Sequence, residues 1–535
     1  MSDNTEENGE KQASEAPQSS NSEKMGITKG ASTVAFFTMI SRVAGLIRDT
    51  VLFHIFGATG ITDAFFIAFT IPNVLRRFVA EGALTVAFVP VYTDIKEKRG
   101  QKAGLEFFAK VLGLVLCFVS LLALIGIVFA PAFVLAFASG FADKAEQLAL
   151  TVSMTRFLFP YVLFISLVAL AMGILNAHRI FASSAAAPIF LNLSMIGACL
   201  FLTPYLDEPI YALVIGVLVG GIAQWCLQWF NLHKNKLWVM PRFQFRDPDV
   251  ARLVKLLLPT MFGLAVYQIN IIVLRQLASY LPEGHISYYY NGDRLMQLAF
   301  GVFAIAIATA SFPTMSEQAS RGEWEKFKST WRFSFRLTMF ITVPAALGLA
   351  AIALPIVSVL YVHGAFTAAD AQITAYTAMA FAPGLLAMAT VRNVVQTFYA
   401  LEDTKTPVKV ATLILFVNLA LGLLLIRYEV VGLALSLSLS TSIQALILLV
   451  LLRRRIGALG FADLLKAFLG NLTLGLLAVG AAYGVSTLGD WPLGLTFSNV
   501  ACLGASLASA VMVYGAGSLL LKQQEALTVL ARFKR

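Results

Sequence analysis

Residues 41–90 read SRVAGLIRDTVLFHIFGATGITDAFFIAFTIPNVLRRFVAEGALTVAFVP, and the fold turns on how this stretch is understood. It is apolar enough for two membrane helices joined by a short turn at GATG. Yet it holds Arg42, Arg48, Asp49, Asp63, Arg76, Arg77 and Glu81, which a helix facing lipid would not carry. At about 100° per residue, Thr38, Ser41, Arg42, Gly45, Arg48 and Asp49 fall within an arc of roughly 120° on the first helix. Asp63, Asn73, Arg76, Arg77 and Glu81 fall within about 140° on the second. Each helix therefore has one polar stripe on an otherwise apolar cylinder. A charge at the bilayer centre costs at least about 2.5–3.5 kcal/mol and faces a partner or a cavity. Two such helices imply a wet, cationic cavity inside the membrane.

The whole chain supports a membrane setting. Of its 535 residues 58% are hydrophobic and 13% charged, and the mean hydropathy is +0.77, outside the range of soluble domains. The net charge of +10 could suggest nucleic acid. The basic residues, however, lie in short connectors between apolar runs, a pattern that sets orientation and implies no nucleic-acid partner. Cys117, Cys199, Cys226 and Cys502 are scattered through apolar runs without paired spacing, so free thiols are expected. Residues 1–24 are polar and acidic and read as a disordered cytoplasmic tail. They hold no basic and apolar regions of a removable signal peptide, so the first membrane helix is expected to direct insertion.

Apolar runs and their punctuation predict an all-α polytopic protein with about fourteen transmembrane helices. They are expected near 28–57, 61–92, 104–137, 147–177, 184–204, 209–232, 250–280, 286–317, 331–361, 369–400, 407–427, 430–453, 463–488 and 497–521. The connectors alternate. One set is basic, as at Lys96, Lys98, Arg99 and Lys102, or Arg453, Arg454 and Arg455. The other is short and neutral or acidic, as in GATG, LDEP and LPEGH. That alternation predicts that both termini are cytoplasmic.

A faint repeat divides the chain. Pro90 and Pro313 end similar motifs, Pro160 and Pro383 share their offset, and Asn192 in FLNL is echoed by Asn418 in FVNL. Two parallel six-helix lobes are expected, residues 25–246 and 247–457, with a C-terminal appendix of two helices and a short tail over 458–535. Repeats flanking a midplane site are a transporter architecture.

The second half adds charge to the cavity through YYYNGDRLMQ, where Arg294 lies beside Asp293 and Gln297 one turn on. Arg156 and Arg275 lie near span ends and read as snorkelling. Arginine stays protonated and presents a planar fork that binds phosphate in bidentate fashion. The set Arg42, Arg48, Arg76, Arg77 and Arg294 against Asp49, Asp63, Glu81 and Asp293 keeps a positive excess suited to an anion, best a phosphate or diphosphate. The structural alternative is internal pairing, with Arg42 and Asp49 two turns apart and Arg77 and Glu81 one turn apart. Asp63 has the alternative role of capping its own helix. Tyr288, Tyr289 and Tyr290 read as an interfacial aromatic belt. His54, His178, His233, His285 and His363 show no metal-ligand spacing, and no metal or cofactor is expected.

SRVAGLIRD, FGATGITDAFFIAFTIPNVLRRFVAEGALTVAFVP, YYYNGDRLMQ and FYALEDTKTPVK together resemble the MurJ/MviN lipid II flippases of the multidrug/oligosaccharidyl-lipid/polysaccharide exporter superfamily, over essentially residues 25–525. The resemblance implies a fourteen-helix bundle with a V-shaped central cationic cavity, alternating access, and a groove for the lipid tail at the last two helices. It implies a bacterial inner-membrane transporter, not an enzyme, that moves the undecaprenyl-diphosphate-linked peptidoglycan monomer to the outer leaflet. Its partners are then lipid II and membrane lipids, with other cell-wall synthesis proteins as candidates. The family's cavity arginines fall on Arg42, Arg48, Arg76 and Arg294, and its acidic positions on Asp49, Asp63 and Glu81. Where relatives have a glutamate after DRLM, this chain has Gln297. Two rivals remain at this level: an exporter of another isoprenoid-linked glycan, and a membrane-embedded glycan polymerase. The second needs acids at a chemistry face, and the short outer connectors offer no paired-acid motif.

Overall fold

The computed structural model describes residues 16–77, 85–244 and 246–533, so Glu81 lies outside the described residues. Among these, regular structure is helical, with one isolated bridge between His363 and Phe366. The α-helices are α1 (Ala16–Phe56), α2 (Gly60–Arg76), α3 (Thr85–Val128), α4 (Ala130–Phe137), α5 (Ala145–Leu158), α6 (Pro160–Ala177), α7 (Ala182–Phe201), α8 (Tyr211–Lys234) and α9 (Pro248–Ala278). They continue with α10 (His285–Ser320), α11 (Trp324–Ala351), α12 (Ala353–Tyr361), α13 (Ala368–Ala400), α14 (Lys405–Leu425), α15 (Glu429–Ile456), α16 (Phe461–Ser486), α17 (Phe497–Leu520) and α18 (Gln524–Phe533).

Several expectations change. The first helix starts at Ala16, inside the stretch read as a disordered tail. Extending a nucleated helix costs little, Pro17 is tolerated in a first turn, and Glu23, Lys24 and Met25 are good helix formers. Pro90 and Pro313 sit inside α3 and α10. The break in α3 falls at Gly100, with φ 85° and ψ 166°, inside the connector expected between the helices near 61–92 and 104–137, and in a conformation glycine adopts without a Cβ clash. The span expected over 147–177 is present as Ala145–Ala177, with α5 and α6 meeting at Phe159, which keeps helical φ/ψ, and Pro160 in the first turn of α6. By length and composition, nine helical stretches among the described residues qualify as membrane spans, against fourteen expected. One of them, Lys405–Ile456, contains both α14 and α15. The helices α1, α2, α9 and α10 are not among the nine; α2, at 17 residues, is just short of a span.

The chain forms two interleaved compact units. One comprises α1 up to Asp49 with residues 72–128 and 156–261; the other comprises residues 50–71, 129–155 and 262–535. In the first unit, α3, α6, α7 and α8 pack together. Lipid gives apolar helices no hydrophobic reason to associate, so close backbone approach does the work. Gly216 and Gly220 on α8 form a small-xxx-small pair: a Cβ on Gly216 would lie 2.9 Å from Met195 Cα, and one on Gly220 2.9 Å from Leu191 Cα. Gly216→Leu is therefore expected to cost about 1–3 kcal/mol by overpacking and to lower the melting temperature in detergent. Gly197→Ala on α7 meets nothing within 4 Å and should hold melting level or raise it slightly. Equal melting of Gly216→Leu and the parent would contradict this packing. The connector after α8 is stitched to α3: the Arg242 amide donates to Ala109 O at 2.8 Å, and Lys110 Nζ lies 2.6 Å from an Asp247 oxygen.

The second unit is built on one apolar cluster that includes Phe327, Trp331, Phe335, Phe398, Leu448 and Leu452. A smaller cluster of Phe340, Leu474, Ala478, Tyr514 and Ala526 seats α16, α17 and α18 on α11. Between α13 and α14, in the LEDTKTP motif, Asp403 accepts from the Thr406 amide at 3.0 Å and its hydroxyl at 2.7 Å. Burial alone would push this carboxyl up, but the bonds from Thr406 and the Lys405 amide outweigh it and hold the group below its ordinary value. The folded-state value is depressed, so the cap's stabilisation is complete above the ordinary carboxylate range and is lost as pH falls through it. Asp403→Ala should flatten the acid limb of a pH–melting profile; an unchanged limb would rule the cap out as a contributor.

Candidate substrate site

In the first unit the candidate side chains lie on α1 and at the end of α2. Arg48 is the best defined. Its Nε and Nη2 donate to Asp49 Oδ1 at 3.0 and 2.5 Å, and its Nη1 donates to Asn192 Oδ1 on α7 at 3.2 Å. Asn192 in turn donates to Ser41 O at 3.2 Å. The Arg48 side chain is 11% exposed and Asp49 is fully buried. The guanidinium is thus held on two sides before any ligand arrives. Arg42, Arg76 and Arg77 are half-buried, and Arg76 Nε donates to Asn73 Oδ1 at 3.0 Å. Among the described candidates, this unit sets four arginines against Asp49 alone.

The second unit holds the remaining described candidates. Asp293 and Arg294 on α10 are half-buried, and Gln297 Nε2 donates to Asp293 Oδ2 at 2.5 Å. An amide in this place lets the two side chains bond, where a second carboxylate would repel the first. Asp63 does not cap its own helix. It is 2% exposed and accepts from the Gly284 amide at 2.7 Å, the Ser287 amide at 2.8 Å and the Ser287 hydroxyl at 2.6 Å. These groups open α10, whose N-cap is Gly284 with no side-chain oxygen to cap it. A carboxylate from α2 therefore supplies what the glycine lacks. Gln147 Nε2 adds a bond to Gly60 O at 2.8 Å.

The tyrosines are not an interfacial belt. Tyr288 and Tyr289 are each 6% exposed, Tyr288 donates to Asp370 at 2.5 Å, and Tyr290 stacks on Phe66 at 4.2 Å. Arg156 is exposed as a snorkelling residue would be, but Arg275 has a buried Nη1 and lies over the Tyr289 ring at 5.8 Å. Sequence reasoning missed Ser287, and it valued Asn192 only as a repeat marker. A helix starting at an uncapped glycine was the available signal for Ser287. The repeat itself has a counterpart in bonding. Asn192 reaches α1 across 144 positions, and Asn418 on α14 donates to Asn270 Oδ1 on α9, at 2.7 Å, across 148.

A family model described as lipid II flippase MurJ matches residues 52–502. The chain belongs to the lipid II flippase MurJ family. A probable lipid II flippase MurJ of Haemophilus influenzae is 34% identical over 502 residues, covering 90% of this chain and 98% of that protein. A lipid II flippase MurJ of Burkholderia cenocepacia is 35% identical over 401 residues, 74% of this chain and 77% of its own. A solved lipid II flippase MurJ in an inward closed conformation superposes with a TM-score of 0.76 at 25% identity, covering 92% of this chain and 99% of that one. An inward-facing multidrug-resistance transporter of the MATE family shares the fold at a TM-score of 0.63 and 13% identity, over 80% of this chain and 95% of its own. MurJ membership accounts for a helical membrane protein.

Proposed function

We propose that this chain is a lipid II flippase of the bacterial inner membrane, carrying an undecaprenyl-diphosphate-linked muropeptide from the inner to the outer leaflet by alternating access. The carrying observation is the MurJ family match across residues 52–502. The chemistry supports it: arginine forks bind diphosphate in bidentate fashion, and one of them, Arg48, is held in place by Asp49 and Asn192. In this reading Arg42, Arg48 and Arg294 hold the diphosphate, with Arg76 at the cavity wall. Asp49, Asp63, Arg77, Glu81, Asp293 and Gln297 set the local field. Residues 25–246 and 247–457 act as two lobes, and α16 and α17 accompany the isoprenoid tail. Both termini and the basic connectors lie in the cytoplasm, which puts GATG and LPEGH outside. Other cell-wall synthesis proteins receive the delivered lipid.

The test is leaflet-resolved accessibility of labelled lipid II in proteoliposomes, with product analysis. Relocated but chemically unchanged lipid is expected. Rates no higher than in protein-free vesicles would defeat the reading, and a polymerised product would replace it with an enzyme.

A further inference from the structure

Two histidines far apart in sequence meet where α1 ends. His54 Nδ1 and His363 Nδ1 are 3.1 Å apart, with ring centroids 5.0 Å apart and planes inclined at 58°, so the rings meet nitrogen to nitrogen. The backbone fixes this approach. The Ala365 amide donates to His54 O at 2.8 Å. Gly364 has φ 64°, and a Cβ there would stand 2.2 Å from His54 O and 2.5 Å from His54 Nδ1. No residue with a side chain fits that position.

The second nitrogen of His363 settles its tautomer. Nε2 lies 3.1 Å from Leu360 O. A carbonyl only accepts, so in the neutral ring Nε2 carries the proton and Nδ1 turns its lone pair toward His54. Donating one ring N–H to a backbone carbonyl while the other nitrogen stays bare is the arrangement found in metal-ligating histidines. Metal–nitrogen distances of about 2.0–2.1 Å across a 3.1 Å gap give an angle near 100°, between the square-planar and tetrahedral values.

We propose that His54 and His363 form a two-histidine site for a borderline divalent transition cation such as Cu²⁺ or Zn²⁺. Imidazole suits these ions and not Mg²⁺ or Ca²⁺. The ion takes the place of the proton shared between the two rings. His54 is exposed and His363 half-buried, so the ion enters from water. Among the described residues no group of three His, Cys, Asp or Glu side chains could hold a metal, so water completes the shell. The bound ion ties the end of α1 to the segment between α12 and α13. Resting on the alternating-access reading above, in which this outer end must open, the ion holds it shut and slows transport. The 309-position separation hid this pair from any reading of ligand spacing.

The test uses the untagged full-length chain. Cu²⁺ alone is titrated in detergent and followed by electron paramagnetic resonance. A signal with two imidazole nitrogens, lost in His54→Ala and in His363→Ala, is expected. Persistence of that signal in the double variant overturns the site and assigns the signal to the remaining histidines, of which His233 is exposed. In proteoliposomes, Zn²⁺ should slow lipid II flipping about tenfold, within the roughly 5–150-fold range of ordinary coupling. The double variant should match the parent's metal-free rate and ignore Zn²⁺. A parent equally fast with and without saturating Zn²⁺ overturns the clamp. A metal-free parent that does not flip lipid II is a failure of the functional reading, and the copper signal stands apart from it.

Discussion

Arg48→Ala is expected to reduce lipid II translocation about 100-fold or more, and its interpretation depends on Asp49. Losing one bidentate, charge-assisted contact to a diphosphate costs on the order of 2–5 kcal/mol. The same substitution also takes from the fully buried Asp49 the two bonds it accepts from Arg48. Removing one member of a buried ion pair is itself worth about 3–5 kcal/mol of stability. A dead Arg48→Ala protein could therefore be a misfolded one. Two further variants separate the effects. Arg48→Lys keeps a cation beside Asp49 but loses the planar fork; it should melt near the parent temperature and still flip at least about tenfold more slowly. Arg48→Ala/Asp49→Ala removes both charges, so it should recover most of the lost stability and none of the transport. If the lysine variant or the double variant flips at the parent's rate, Arg48 is a structural partner of Asp49 and the diphosphate is held elsewhere.

Helix ends were the most legible part of the fold. The ends expected for α14, α15, α16 and α17 lie within a few residues of those observed, because long apolar runs are bounded there by proline, glycine or charge. Partner choice was much less legible. Adjacent residues on a helix do not face each other, so the sequence favours Asp49 with Arg42. The long Arg48 side chain nevertheless folds back to Asp49 and is braced there by Asn192. The tyrosine run shows the same limit: Tyr288 is held inside the bundle by Asp370, 82 positions away, which no local pattern reveals. Polar residues in lipid satisfy one another through tertiary contacts, so periodicity shows that a polar stripe exists but not what each member bonds to. The Gln297 bond to Asp293 closes within one helical turn, yet the sequence reading set Gln297 beside Arg294.

Asp63→Ala should open the GATG end of the second unit and impair transport without removing any group that contacts the diphosphate. Asp63 is the acceptor for two backbone amides and one hydroxyl at the start of α10. Removing an N-cap acceptor costs about 0.5–2 kcal/mol, and bonds to a charged acceptor about 1.5–3 kcal/mol each. A net loss of about 2–4 kcal/mol is expected, since water entering the gap recovers part of it. Two segments separated by 221 positions are joined by these bonds, so the loss falls on the arrangement that holds them together and not on α2 or α10 alone. In a two-state transporter, a bias of that size moves the equilibrium by about 30–1,000-fold, which strands the protein with its outer end open. Hydrogen exchange at the amides of residues 284–288 should accelerate in Asp63→Ala, and lipid II flipping should fall by at least about tenfold. Asp63→Asn keeps one acceptor oxygen and should be intermediate in both measurements. Ser287→Ala removes only the hydroxyl bond and should be milder still. That ordering follows from counting acceptors and donors at one helix start. A Ser287→Ala defect as deep as that of Asp63→Ala, or slow exchange at residues 284–288 in Asp63→Ala, would show that the carboxylate does not hold this end of α10.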